Sequence, residues 1–258
     1  ETGLILLAVL GVERPISQPA EQAQSAADRP AELSFAQAWT VLRASPQVAY
    51  FFGVLSLFTF SLFLQEAVLE PYGGAIFGMD VCATTRLNAI WGVGTLVGIA
   101  TTGFLLVPRL GPQRTALLGG VLAGVFVLLM VVAGAVVSEP LFRFALLLFG
   151  YAAGVSTNAS LTLMLGLTSP ALAGTFIGVW GLAQAYARGV ATVTGGGLLS
   201  LFGGVFGGQD TYGAYASVFV IQAVGLLLAG LLLLRVDTTL FKQRVQRALG
   251  DLLALELD

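Results

Sequence analysis

Histidine is absent from this 258-residue chain, and cysteine occurs once, at Cys82. The first absence removes the usual proton shuttle and the commonest metal ligand. The second excludes a disulfide within the chain and any cysteine-clustered metal site. Charge is scarce too: Asp, Glu, Lys and Arg make up 10% of the residues, against about 25% in a soluble domain. No basic patch with interleaved aromatics occurs, so nucleic acid is not expected as a partner. No nucleophile, metal cluster or phosphate loop accompanies the few carboxylates. We therefore assign no catalytic residue and no metal site, and expect a protein that is not an enzyme.

What is present is apolar. Hydrophobic residues make up 57% of the chain, and the mean hydropathy is +0.89. Several runs exceed the roughly 20 helical residues needed to cross a hydrocarbon core. They do not alternate as the strands of a transmembrane barrel must. The expected fold is all-α, a polytopic helical membrane protein with the lipid bilayer as its constant partner. Six spans are predicted, at Val48–Glu70, Leu87–Val107, Thr115–Val137, Leu141–Leu167, Ala171–Leu201 and Ala214–Leu234. The Gly195-Gly196-Gly197 run suggests that the ordered part of the fifth ends near there.

The chain divides into four parts. Residues 1–11 read as the end of a preceding transmembrane helix, and residues 12–45 as a linker. Within that linker, Phe35, Ala38, Trp39 and Leu42 recur at helical spacing after Ser34, as in a short interfacial helix. Residues 46–236 form the six-helix bundle, and residues 237–258 an amphipathic tail. Arg14, Arg29, Arg43, Arg109, Arg114, Arg235, Lys242, Arg244 and Arg247 fall on one side if the spans alternate, against Arg86 and Arg143 on the other. The positive-inside rule then makes the linker and the C-terminus cytoplasmic. Small-residue pairs at four-residue spacing, Gly94/Gly98, Gly150/Gly154 and Gly174/Gly178, permit close helix approach in lipid.

A few polar side chains interrupt the apolar runs. Gln65, Glu66 and Glu70 lie late in the first span, before an expected turn at Pro71, Gly73 and Gly74. Glu66 and Glu70 share a helical face, and Arg86 opens the next span where it can pair with either. Arg188 sits near the middle of the fifth span, with Gln184 one turn before it and Trp180 and Tyr186 nearby. A guanidinium at that depth needs protein, water or an anionic partner. Asn158 in the fourth span extends the same polar seam. A ligand-binding lining and a structural ion-pair network both account for this set.

The string Leu64 to Met79, L-Q-E-A-V-L-E-P-Y-G-G-A-I-F-G-M, followed by Thr84-Thr85-Arg86-Leu87, resembles the bacteriochlorophyll-delivery branch of the major facilitator superfamily, the PucC- and LhaA-type proteins. The Leu69-Glu70-Pro71-Tyr72-Gly73-Gly74 string is its most specific part. Weaker likeness continues through Trp91-Gly92-Val93-Gly94, Pro108-Arg109-Leu110-Gly111 and Trp180 to Gly189. The Gly103-to-Arg114 stretch lacks the acidic member of the superfamily's usual loop between second and third helices.

The resemblance implies the six-helix C-terminal half of a major-facilitator-type fold, with the N-terminal half of the same fold as a partner. It implies an assembly factor for photosynthetic light-harvesting complexes, with light-harvesting polypeptides as partners and bacteriochlorophyll as bound cargo. The alternative is a secondary transporter of a pigment precursor or other amphiphile. The implied location is the bacterial inner membrane in its photosynthetic, intracytoplasmic form. Pigment or substrate contacts then fall to Gln65, Glu66, Glu70, Arg86, Asn158, Gln184 and Arg188. Magnesium accepts oxygen ligands, so Glu66, Gln65, Asn158, Gln184 or a backbone carbonyl can meet the metal of such a pigment.

The charge bias makes the topology testable by fusions to the full-length protein. Green fluorescent protein joined at Asp258 should fluoresce. Alkaline phosphatase inserted after Ser138 should be active. The reverse pattern at both sites overturns the orientation.

Overall fold

Lipid offers a backbone N–H or C=O no partner, so long apolar runs satisfy their own polar groups as helices. The computed structural model describes residues 46–167, 173–206 and 210–235, which all belong to the unit Ser34–Asp258. Eight helices make up these residues: α1 Pro46–Phe63, α2 Leu69–Phe77, α3 Val81–Thr101, α4 Val107–Leu110, α5 Pro112–Ala135, α6 Glu139–Leu167, α7 Ala173–Val205 and α8 Thr211–Leu233. A π turn at Thr102–Leu106 joins α3 to α4. No strand occurs among the described residues. The helix end expected at residues 1–11, the linker and interfacial helix at 12–45 and the tail at 237–258 lie outside them.

Four stretches are long and apolar enough to cross a membrane: Val81–Leu110, Pro112–Ala135, Glu139–Gly166 and Thr211–Leu233. They make this a polytopic helical membrane protein. The first expected span is corrected. Its apolar helix is short, Ala49–Phe63, and the chain leaves helical geometry over Leu64–Val68 before α2 begins. α7 has length to spare at 33 residues, but its glycines, Gln184 and Arg188 dilute its hydropathy.

Two expected turns are corrected as well. Pro71, Gly73 and Gly74 do not form a turn but lie inside α2. Pro71 is the third residue of that helix, where its missing N–H is one the helix leaves unpaired anyway. The chain turns instead at Gly78, whose φ of 66° is the left-handed cap conformation that glycine adopts freely. Asp80 then caps α3 by accepting the Ala83 N–H at 2.7 Å. Nor does the Gly195–Gly197 run end α7, which continues to Val205. Gly195 serves packing: a Cβ there would strike the carbonyl oxygen of Leu64 in the α1–α2 break.

Helix order in space follows from the packing. α6 lies between α3 and α5, α8 packs on α5 and α1, and α7 packs on α1 and α8. The α3–α6 contact is made by two of the predicted small pairs facing each other. A Cβ at Gly94 or Gly98 would meet the carbonyl of Leu147 or Tyr151, and one at Gly150 or Gly154 that of Trp91 or Thr95. The third pair behaves differently, since nothing lies within 4 Å of a Cβ at Gly174 or Gly178.

Tyr72, from the most specific part of the sequence signature, is the hub of the core. It is fully buried, and its hydroxyl donates to the Met130 carbonyl at 3.1 Å. Its ring meets Phe142 and Phe219 nearly edge-on, with centroids 5.3 and 4.9 Å away. Each such aromatic pair contributes about 1 kcal/mol beyond area burial. Gly134 leaves the space its hydroxyl occupies.

Gly98→Val should therefore force α3 off α6 and cost about 1–3 kcal/mol. Gly178→Ala should be neutral. Reversible unfolding in mixed detergent and lipid checks both, and equal effects would sink the assignment of the interface.

Candidate functional site

The α1–α2 break brings a carboxylate to a position no straight helix provides. Leu64, Gln65 and Val68 are buried there, while Glu66 turns outward towards α7. Backbone bonds hold the turn: the Glu66 N–H reaches the Phe63 carbonyl at 3.0 Å, and the Leu69 N–H reaches that of Gln65 at 2.8 Å. Close approach at Gly195 sets α7 against this turn, and Thr192 and Arg188 are about one and two turns earlier on α7.

Arg188 Nε donates to both Glu66 oxygens, at 3.2 and 3.0 Å, and Nη2 donates to Oε1. The Thr192 hydroxyl lies 2.9 Å from Glu66 Oε2 and 3.0 Å from the Arg188 carbonyl. It carries one proton, so it donates to one of them at a time. The guanidinium carbon stands 4.6 Å from the centre of the Phe63 ring, a cation–π contact. Beside the pair lies an open groove of about 640 Å³, lined by Phe63, Glu66, Gly181, Gln184, Ala185, Arg188, Gly189, Thr192 and Val193. The side chains of Arg188 and Glu66 remain 54% and 35% exposed, so a ligand in the groove can reach both.

The expected site residues separate into groups. Glu66, Arg188 and Gln184 come together in the groove. Glu70 faces α3 instead, accepting from Asn88 Nδ2 at 2.6 Å. Arg86 is exposed on α3 and pairs with neither acid among the described residues, because the break turns Glu66 to α7 and Asn88 occupies Glu70. Asn158 leaves the expected seam and donates to the Ile99 carbonyl of α3 at 3.2 Å. Gln65 is 95% buried, given its relative exposure of 5%, and its Oε1 has no hydrogen-bond partner. Trp180, one turn before Gln184, also keeps a buried indole N–H without a partner, whereas Tyr186 points away from the core.

Sequence reasoning missed Thr192, although four-residue spacing from Arg188 marks it. It also missed Phe63, Asn88 and the fully buried Gln222, whose Nε2 donates to the Leu62 carbonyl at 3.2 Å. Among the described residues no group of three His, Cys, Asp or Glu side chains is placed to hold a metal ion.

Comparison with known proteins adds the following. A family model described as PUCC protein matches residues 3–241. Protein PucC of Rhodovulum sulfidophilum is 32% identical over 165 residues, which cover 64% of this chain and 36% of that protein. Protein PucC of Cereibacter sphaeroides is 32% identical over 187 residues, 70% of this chain and 40% of that one. The bacteriochlorophyll synthase 44.5 kDa chain of Rhodobacter capsulatus is 30% identical over 237 residues, 86% of this chain and 52% of its own length. The chain thus spans between 36% and 52% of these relatives. No solved structure is significantly similar to it.

Removing one member of the ion pair strands the other charge. Arg188→Met and Glu66→Leu should each destabilise the protein, and the double variant should cost less than the sum of the two. A coupling energy of about 1 kcal/mol is expected from a double-mutant cycle. Strict additivity would mean that the pair holds nothing.

Proposed function

The chain belongs to the PUCC protein family, and on that premise we propose that it is part of an assembly factor for photosynthetic light-harvesting complexes that binds or delivers bacteriochlorophyll. The observation that carries this reading is the groove. It joins a charge-neutral polar pair, Glu66 and Arg188, to Phe63 and to apolar and small residues of α7. Such a surface suits an amphiphile with a polar centre and a long apolar body better than a water-soluble substrate. Its size falls within the roughly 300–1,000 Å³ of small-molecule sites. The name of one relative, a bacteriochlorophyll synthase chain, supports pigment as the cargo class. We read the groove as a binding surface and not a catalytic one.

On this reading the six-helix unit is one half of a major-facilitator-type fold in the photosynthetic inner membrane, its linker and C-terminus cytoplasmic. The remaining half and the light-harvesting polypeptides are its partners. The transport alternative draws on one specific observation, that Arg188 and Gln184 share the groove, as the lining of a central substrate path would require.

Pigment co-purification from a photosynthetic host tests the proposal. The full-length protein should carry bacteriochlorophyll, and the E66L/R188M double variant should lose most of it while remaining folded. Absence of pigment from the intact protein, with antenna assembly still dependent on it, removes direct delivery. The transport reading is tested by Ala185→Cys in a Cys82→Ser background. Labelling by an aqueous maleimide from alternate membrane faces supports transport.

A further inference from the structure

A carboxylate in an apolar setting is costly, yet this chain holds Glu66 in place through three donor groups and leaves it 35% exposed. Building on the pigment-binding reading above, we propose that Glu66 is the axial oxygen ligand to the magnesium of a tetrapyrrole seated in the groove, with Arg188 keeping that ligand charge-neutral.

The carboxylate has room for the bond. It offers about four lone-pair sites. Arg188 brings one Nε hydrogen, shared between the two oxygens, and one from Nη2. Thr192 brings one more, which has a second acceptor in the Arg188 carbonyl. Three hydrogens over four sites leave one direction open on the carboxylate, and a second opens at Oε2 when the Thr192 hydroxyl turns to the Arg188 carbonyl.

The donor count also discriminates between forms of the metal. A free hard cation collects about six or more oxygen ligands. No group of three candidate side chains exists among the described residues. A magnesium already held by four ring nitrogens needs only one more ligand, and one carboxylate meets that need. Gln184 also lines the groove but carries no charge to attract the metal.

Charge and shape agree with this. The dianionic macrocycle cancels the charge of its magnesium, so an unpaired carboxylate would leave a net negative charge in a medium of low dielectric. The contact with Arg188 makes the combined site neutral. Gly181 and Gly189 line the groove, and no atom lies within 4 Å of a Cβ built on either. A planar ring can lie flat against such a surface, beside the Phe63 ring.

The test compares bacteriochlorophyll with its metal-free analogue, bacteriopheophytin, bound to the full-length protein in detergent. The intact protein should bind the magnesium pigment at least tenfold more tightly, with the coordination-sensitive absorption band shifted to the ligated position. Glu66→Ala should erase both the preference and the shift, so that the two pigments bind alike. The E66L/R188M double variant should behave alike, and it guards against loss of folding through a stranded arginine. A preference that survives in both variants overturns the inference, as does one lost only in Gln184→Leu. Equal binding of the two pigments by the intact protein overturns it too, yet leaves pigment delivery standing. Binding of neither pigment removes both readings.

Discussion

Helices in lipid gain nothing from hiding apolar surface from water, so close backbone approach decides which of them meet. Here the decisive approach is Gly195 of α7 against the Leu64 carbonyl. It lets a helix pack against a place where another has come undone. From that contact follow the position of Arg188 opposite Glu66, the reach of Thr192 to the same carboxylate, and the groove beside them. The glycine pairs between α3 and α6 do the same for those two helices.

The break and the ion pair explain each other. Unwinding Leu64–Val68 leaves polar backbone and two polar side chains in an apolar setting. Gln65 turns into the core, and Glu66 turns to the one guanidinium on α7. A continuous helix would carry Glu66 and Glu70 on one face. The break sends Glu66 to α7 and Glu70 to Asn88 on α3.

Much of this was legible in the chain. The all-helical membrane class follows from hydropathy and scarce charge, and the Gly94/Gly98 and Gly150/Gly154 interface from spacing. That Glu66 and Arg188 need partners follows from the cost of charge in an apolar setting. Their pairing was not legible, because they are 122 residues apart and nothing local links them. The turn at Pro71, Gly73 and Gly74 was misplaced for a local reason: proline in the first turn of a helix looks like a breaker and acts as a starter. The Gly195–Gly197 run misled similarly, since glycine ends a helix in water but marks a contact between helices in lipid. Within the most specific string of the family signature, Leu69, Tyr72 and Gly73 proved to be core. Its Tyr72 packs on Phe142 and Phe219, while the groove belongs to less distinctive residues around it.

The seat of Tyr72 also sets a schedule for synthesis. Its partners are the Met130 carbonyl on α5, Phe142 on α6 and Phe219 on α8. The last of these leaves the ribosome about 150 residues after the tyrosine, a delay of roughly 7–30 s at about 5–20 residues per second. Until then the Tyr72 ring lacks its Phe219 contact, although the Met130 carbonyl that receives its hydroxyl has been made well before. The seat of Tyr72 is therefore complete only once α8, the last of the described helices, has been made.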